Sequence, residues 1–252
     1  MRSLTPVSFL QSVAALSITA FIGWQSLVAP SEAHAAEKPT EARKHEAAKT
    51  PEAAKTPEAA KTPEGIVAEL LAGNARFQAG QPLPRQLVQA RAVLAAGQHP
   101  KAIILSCSDS RVPPELVFDQ SLGDLFVVRV AGNVADPIAL ASIEYANEHL
   151  HSEVVIVLGH QKCGAVTAAA TGAKMPSANL QALVDEIAPA LPMRGPNPGW
   201  VVVEKGVEAN VVATAAELLE RSPLLKEQAA HGKLKVVRAV YDLDTGRVRL
   251  LP

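Results

Sequence analysis

Val154-Val155-Ile156-Val157-Leu158-Gly159-His160-Gln161-Lys162-Cys163 decides how this chain folds and what it does. The first five residues are apolar and mostly β-branched, so they read as a strand buried on both faces. The run stops at Gly159, and His160 and Cys163 follow directly. A second short apolar run, Ala102-Ile103-Ile104-Leu105, ends the same way, in Cys107-Ser108-Asp109-Ser110-Arg111.

Helical patterns alternate with these runs. Val67, Leu70, Leu71 and Phe77 share one side of a helix over 66–78. Asp136-Pro137 is a helix start, an N-cap followed by a first-turn proline, for a helix reaching about His149. Further helices are predicted over 178–188 and 204–220. Strands are predicted over 125–130, 234–241 and 248–251, the last two around the Asp244-Thr245-Gly246 turn. Buried strands alternating with helices predict an α/β fold: a mainly parallel central sheet flanked by helices, with an antiparallel edge strand. Ligands in such sheets gather beyond the carboxyl ends of the strands, where Cys107 and His160 stand.

The amino-terminal quarter is different material. Residues 1–35 read as an export signal: Arg2, then the uncharged, mostly apolar run 7–29, then Ala33-His34-Ala35, a small-x-small cleavage pattern. An uncleaved membrane anchor is the alternative reading of that run. Cleavage is favoured, because Gln11, Ser12, Ser17, Thr19, Gln25 and Ser26 dilute its apolarity. Stable membrane insertion of the mature chain is therefore not expected. Over 36–64 Lys-Thr-Pro-Glu-Ala-Ala recurs and no large apolar residue occurs, so this segment is predicted to be a disordered spacer. One domain, 65–252, remains. With 24 Lys and Arg against 25 Asp and Glu, the net charge of −1 argues against a nucleic-acid partner.

Cys107 and Cys163 are the only cysteines. In an exported protein such a pair reads as a disulfide. Spaced as they are around His160, they also read as two of three metal ligands: two sulfurs and an imidazole with one position open suit catalytic zinc. Asp109 and Arg111 could form an ion pair beside such a metal, or merely a local bridge that fixes the loop.

C-x-D-x-R and H-x-x-C after strand ends resemble the fingerprints of the β-class carbonic anhydrases. The resemblance extends to residues 71–77 (LAGNARF), 97–100 (GQHP), 127–133 (VVRVAGN), 143–146 (IEYA) and 241–246 (YDLDTG). It implies the fold of that family and one zinc ion per subunit held by Cys107, His160 and Cys163. It also implies a catalytic dyad of Asp109 and Arg111. Asp109 would be a fourth ligand only in a closed state, and the plant-like features favour the open one. The resemblance further implies a substrate pocket of Gln98, Phe126, Tyr145 and Gly164, some of it contributed across a subunit interface. The expected reaction is reversible hydration of CO2 to bicarbonate by a zinc-activated water, in a homodimer or multiple of dimers, exported and most simply periplasmic. Hydrolysis of carbonyl sulfide or carbon disulfide on the same fold is an alternative, as is a non-catalytic zinc- or bicarbonate-binding module.

Overall fold

The computed structural model describes residues 62–172 and 174–252. The export signal and nearly all of the repeat segment lie outside the described residues. Five strands form one sheet in the order β2-β1-β3-β4-β5. They are β1 (Ala102–Ser106), β2 (Leu125–Arg129), β3 (Val154–His160), β4 (Lys235–Tyr241) and β5 (Val248–Leu250). Every pairing is parallel except β4 with β5, which is antiparallel. The expected α/β architecture with its antiparallel edge is the one observed.

All of β1 and β3 is buried. Alternate side chains serve two separate cores, as the strand period of two requires. Ile103, Leu105, Val155 and Val157 face one core; Ala102, Ile104, Val154, Ile156 and Leu158 face the other. The first core is roofed by α4 (Pro137–Leu150), α5 (Gly164–Thr171), α6 (Ala178–Ile187), α7 (Trp200–Arg221) and α8 (Pro223–Ala230). The second is closed by α1 (Pro63–Gln78) and the short α3 (Pro114–Val117). A further helix, α2 (Leu87–Leu94), buries none of its residues in this single chain.

The helix starts follow the local chemistry. The Asp136 carboxylate accepts from the Ile138 and Ala139 amides at 2.9 and 2.8 Å, and Pro137 opens α4. Thr62 caps α1 by accepting the Gly65 amide at 3.1 Å, and Pro63 is its first residue. This corrects the expected spacer boundary at residue 64. The third Thr-Pro-Glu copy is a helix start, because threonine followed by proline is a capping pair as well as a repeat unit. Glu64 is then held by Lys235 at 2.6 Å.

Three other expectations shift. β3 runs on through Gly159 and His160, which pair with Val240 and Tyr241. Gly159 is therefore no strand stop: a Cβ there would stand 2.5 Å from Val211 of α7, so the glycine lets helix and sheet approach. α7 starts at Trp200, four residues before the expected Glu204. The short helices α2, α3, α5 and α8 were not expected, since each is too brief to display a period.

Asn74 of α1 is the main polar tie across the second core. Its amide donates to Val117 O at 3.0 Å and Gly246 O at 2.8 Å, and its oxygen accepts the Val248 amide at 2.8 Å. Asn74→Ala is expected to cost about 3 kcal/mol, because it leaves buried backbone groups without partners. Urea unfolding of the purified protein measures this, and a change below about 0.5 kcal/mol would show that water replaces the side chain.

Candidate metal centre

The strand order 2-1-3-4-5 places the topological switch between β1 and β3, where connections leave in opposite directions. Ser106, the last residue of β1, pairs with Leu158 of β3. Cys107 follows on one strand, and His160 closes the other. Cys163 then stands at the mouth of α5 as its capping residue.

The turn that brings Cys163 back to His160 is tightly held. Lys162 adopts the left-handed conformation at φ 55°. The Gln161 amide donates to Tyr241 O at 3.0 Å, and the Gln161 side chain donates to Asp242 at 3.2 Å. The Lys162 amide donates to Glu204 of α7 at 2.9 Å, and its ammonium reaches Asp244 at 2.6 Å. Short polar bonds from β4, α7 and the β4–β5 turn thus hold a strained backbone.

One ligand atom each from Cys107, His160 and Cys163 lies within 4.8 Å of the others, and all three residues are buried. Both cysteines are free thiols, so the disulfide reading is set aside. His160 Nδ1 lies 2.8 Å from Gln161 O. A carbonyl only accepts, so Nδ1 carries the proton and Nε2 presents its lone pair. That Nε2 is buried and has no hydrogen-bond partner. A buried imidazole nitrogen without a partner, facing two sulfurs, fits a zinc ion, which takes this soft and borderline donor set.

The protonation states point the same way. Cys107 ionises well below the usual thiol range, above all because the Cys163 thiol donates to it; burial opposes this, and His160 and the Gly132 amide assist. The Gly132 N–H lies 3.3 Å from Cys107 Sγ. Cys163 is pushed far up by its hydrogen bond to Cys107 and by burial, and the amides of Val166 and Ala165 at the start of α5 pull it back in part. Burial works against a charge on His160, but the Cys107 sulfur, Gln161 O and Asp109 outweigh it and raise the ring above its ordinary value. Without a cation the cluster therefore retains protons.

Asp109 stands beside this cluster without joining it. Arg111 grips its carboxylate with Nε at 2.9 Å and Nη2 at 2.7 Å, and the Arg111 amide adds a bond at 3.0 Å. Arg111 holds the carboxyl well below the usual range, against the cost of burial. Asp109 Oδ2 remains 3.7 Å from His160 Nε2.

The four expected pocket residues divide. Gly164 is the first residue of α5, next to Cys163, and a Cβ on it would meet nothing within 4 Å. Gln98 is exposed in the loop before β1, and Tyr145 lies 48% exposed on α4. Phe126 pairs with Ile103, and its ring lies 6.3 Å from that of Tyr145. Ile103 precedes Cys107 by four residues, roughly 13 Å along the strand. A single chain therefore does not bring Phe126 or Tyr145 to the metal ligands.

Comparison with known proteins agrees with this geometry. The sequence profile described as carbonic anhydrase matches residues 102–248. Carbonic anhydrase 2 of Mycobacterium tuberculosis is 44% identical over 185 residues, which cover 72% of this chain and 89% of the relative. A carbonic anhydrase of Mycolicibacterium smegmatis is 42% identical over 182 residues, covering 71% and 88%. A solved β-carbonic anhydrase of Aspergillus fumigatus superposes with a TM-score of 0.58 at 26% identity, covering 75% of this chain and 89% of that one. The chain belongs to the β-class carbonic anhydrases.

As a β-carbonic anhydrase it also shows supporting residues that motif reading passed over. Arg129, Gly132 and Glu204 touch the loops that carry Cys107 and Cys163, and Asn210 supports them one step back by donating to Gly132 O at 2.8 Å. Arg129 and Gly132 stood inside the quoted 127–133 stretch, but Glu204 and Asn210 lie far along the chain and carry no local signal. Cys107→Ser is expected to abolish stoichiometric zinc binding, read by metal analysis. Loading zinc on the metal-free protein is expected to release a proton from Cys163 and a fraction from His160. Both groups hold protons more tightly than usual, so metal affinity rises with pH and falls as pH drops. Titration in weak buffer measures the release, and none at neutral pH would place the metal elsewhere.

Proposed function

We propose that this β-carbonic anhydrase interconverts carbon dioxide and bicarbonate at the Cys107–His160–Cys163 centre, with Asp109 and Arg111 as its dyad. The observation that carries this is the unpartnered, buried His160 Nε2 converging with two free sulfurs beside a carboxylate locked to an arginine.

Zinc, held by these three residues, supplies Lewis-acid polarisation that makes water a nucleophile near neutral pH. The chain's own part is orientation. Asp109, kept ionised by Arg111, can only accept hydrogen bonds. It therefore accepts a hydrogen bond from the attacking water and turns an oxygen lone pair toward the carbon of CO2. Water adds across one C=O bond, bicarbonate forms, and one proton leaves to buffer. The two thiolates concentrate negative charge at the centre, so hydration is favoured on the alkaline side.

The pocket is completed by a second copy of the chain. Phe126, with Tyr145 beside it, does not reach the Cys107–His160–Cys163 cluster of its own subunit, Gln98 lies exposed in the loop before β1, and α2 offers Leu87, Val88 and Val93 to solvent, the last 76% exposed. Relatives from Sordaria macrospora, 25% identical with a TM-score of 0.59, are described as tetrameric. A dimeric unit buries the apolar face of α2 and brings Gln98 to a substrate oxygen. Residues 1–35 act as a cleaved export signal, and the repeats up to residue 61 act as a spacer outside the cytoplasm, most simply in the periplasm.

Asp109→Ala is expected to retain one zinc per chain and lose about 10²-fold or more in CO2 hydration. Full activity in this variant would remove Asp109 from the mechanism. Co-expressed Gln98→Ala and Cys107→Ser chains are expected to recover activity that neither has alone, because the mixed dimer assembles one complete site. No recovery in isolated mixed dimers would place the pocket within one subunit.

A further inference from the structure

Arg129 is the last residue of β2 and forms no ion pair among the described residues. Its guanidinium is engaged by two carbonyls of the neighbouring loop instead. Nε donates to Cys107 O at 3.1 Å, and Nη2 donates to Asp109 O. One acceptor belongs to a metal ligand and the other to the dyad carboxylate's own residue.

Asp109 O also accepts the Val112 amide at 3.0 Å, within the loop's own turn, whereas Arg129 is the donor that ties Cys107 O and Asp109 O together and to β2. Ser106 is the last residue of β1 in register with β2 and β3, and the Val130 amide closes the ladder on Ser106 O at 3.0 Å. Beyond it, Cys107-Ser108-Asp109 leaves the sheet. Two carbonyls spaced two residues apart bend back onto a single planar fork of donors. The backbone is curled around that fork. The Cys107 sulfur then faces His160 and Cys163, and the Asp109 carboxylate stands 3.7 Å from His160 Nε2.

We propose that Arg129 is a positioning residue that sets the placement of the Cys107 sulfur relative to the Asp109 carboxylate. The inference rests on the metal-centre reading above. Two arginines then hold one carboxylate in different ways: Arg111, 53% exposed on its side chain, keeps it charged from the solvent side; Arg129 fixes its backbone from within the sheet. An ammonium offers no planar fork to bridge both carbonyls, so lysine restores the charge without the geometry.

Arg129→Gln and Arg129→Lys in the full chain test this, with Arg76→Gln as a control. Arg76 binds Asp119 at 2.5 Å, between α1 and the end of α3. The readouts are urea unfolding, competition of zinc with a chromophoric chelator, the visible spectrum of the cobalt-loaded protein, and kcat and KM separately. Arg129→Gln is expected to bind zinc about 10-fold more weakly, to shift the sulfur-to-cobalt bands, and to lose kcat more than it raises KM. Arg129→Lys is expected to regain stability but not the native spectrum. Arg76→Gln should lose stability and keep the spectrum.

A native cobalt spectrum and zinc affinity in Arg129→Gln would overturn the proposal. So would a fully native Arg129→Lys, or both variants failing to fold while Arg76→Gln folds. A wild-type chain that binds neither zinc nor cobalt through its thiols would sink the metal-centre reading itself, whatever the variants do.

Discussion

Two sulfurs and an imidazole nitrogen are buried within 4.8 Å of one another. Such a cluster is costly unless something positive stands among its atoms. Without a cation the cost is met by protons: Cys163 retains its own, and His160 binds one more readily than a free imidazole. With a cation the same atoms become a ligand set. Amides already in place face both sulfurs, from Gly132 toward Cys107 and from the start of α5 toward Cys163. The surrounding structure serves this constraint.

The parallel sheet is what makes the cluster possible. Adjacent parallel strands end on the same side, so β1 and β3 deliver Cys107 and His160 to one place without a long excursion of either loop. The strands can be parallel because helices cover both faces, and the faces are covered because β1 and β3 are apolar on each. Gly159 then allows α7 to press close behind His160, which places Glu204 against the Lys162 amide and Asn210 against Gly132 O. Packing and chemistry meet at that glycine.

Much of this was legible beforehand, for definite reasons. Strands buried on both faces cannot alternate, so β1 and β3 stood out as continuous apolar runs. Asp136-Pro137 announced a helix because its capping chemistry is local. The ligand triplet and the Asp109–Arg111 pair were readable as motifs because their members sit within a few residues of one another or at strand ends. The short helices were not legible: four to eight residues complete too few turns to display a period. The start of α1 inside the repeat was missed because the same Thr-Pro-Glu serves a polar repeat and a helix cap. Gly159 reads as a stop in sequence, since a glycine alone does not say what presses against it.

The sequence by itself determined the elements, their burial and the identity of the donor atoms, because periodicity, capping and ligand type are properties of neighbouring residues. Only the tertiary structure decided that the cysteines are free rather than joined, that His160 turns an empty nitrogen toward them, and that Asp109 is held by Arg111. It also decided that Phe126, with Tyr145 beside it, stands down the sheet from Cys107. These facts depend on which strand ends lie side by side and on what presses behind a turn. Such distances arise between residues remote in the chain, so no local pattern could record them.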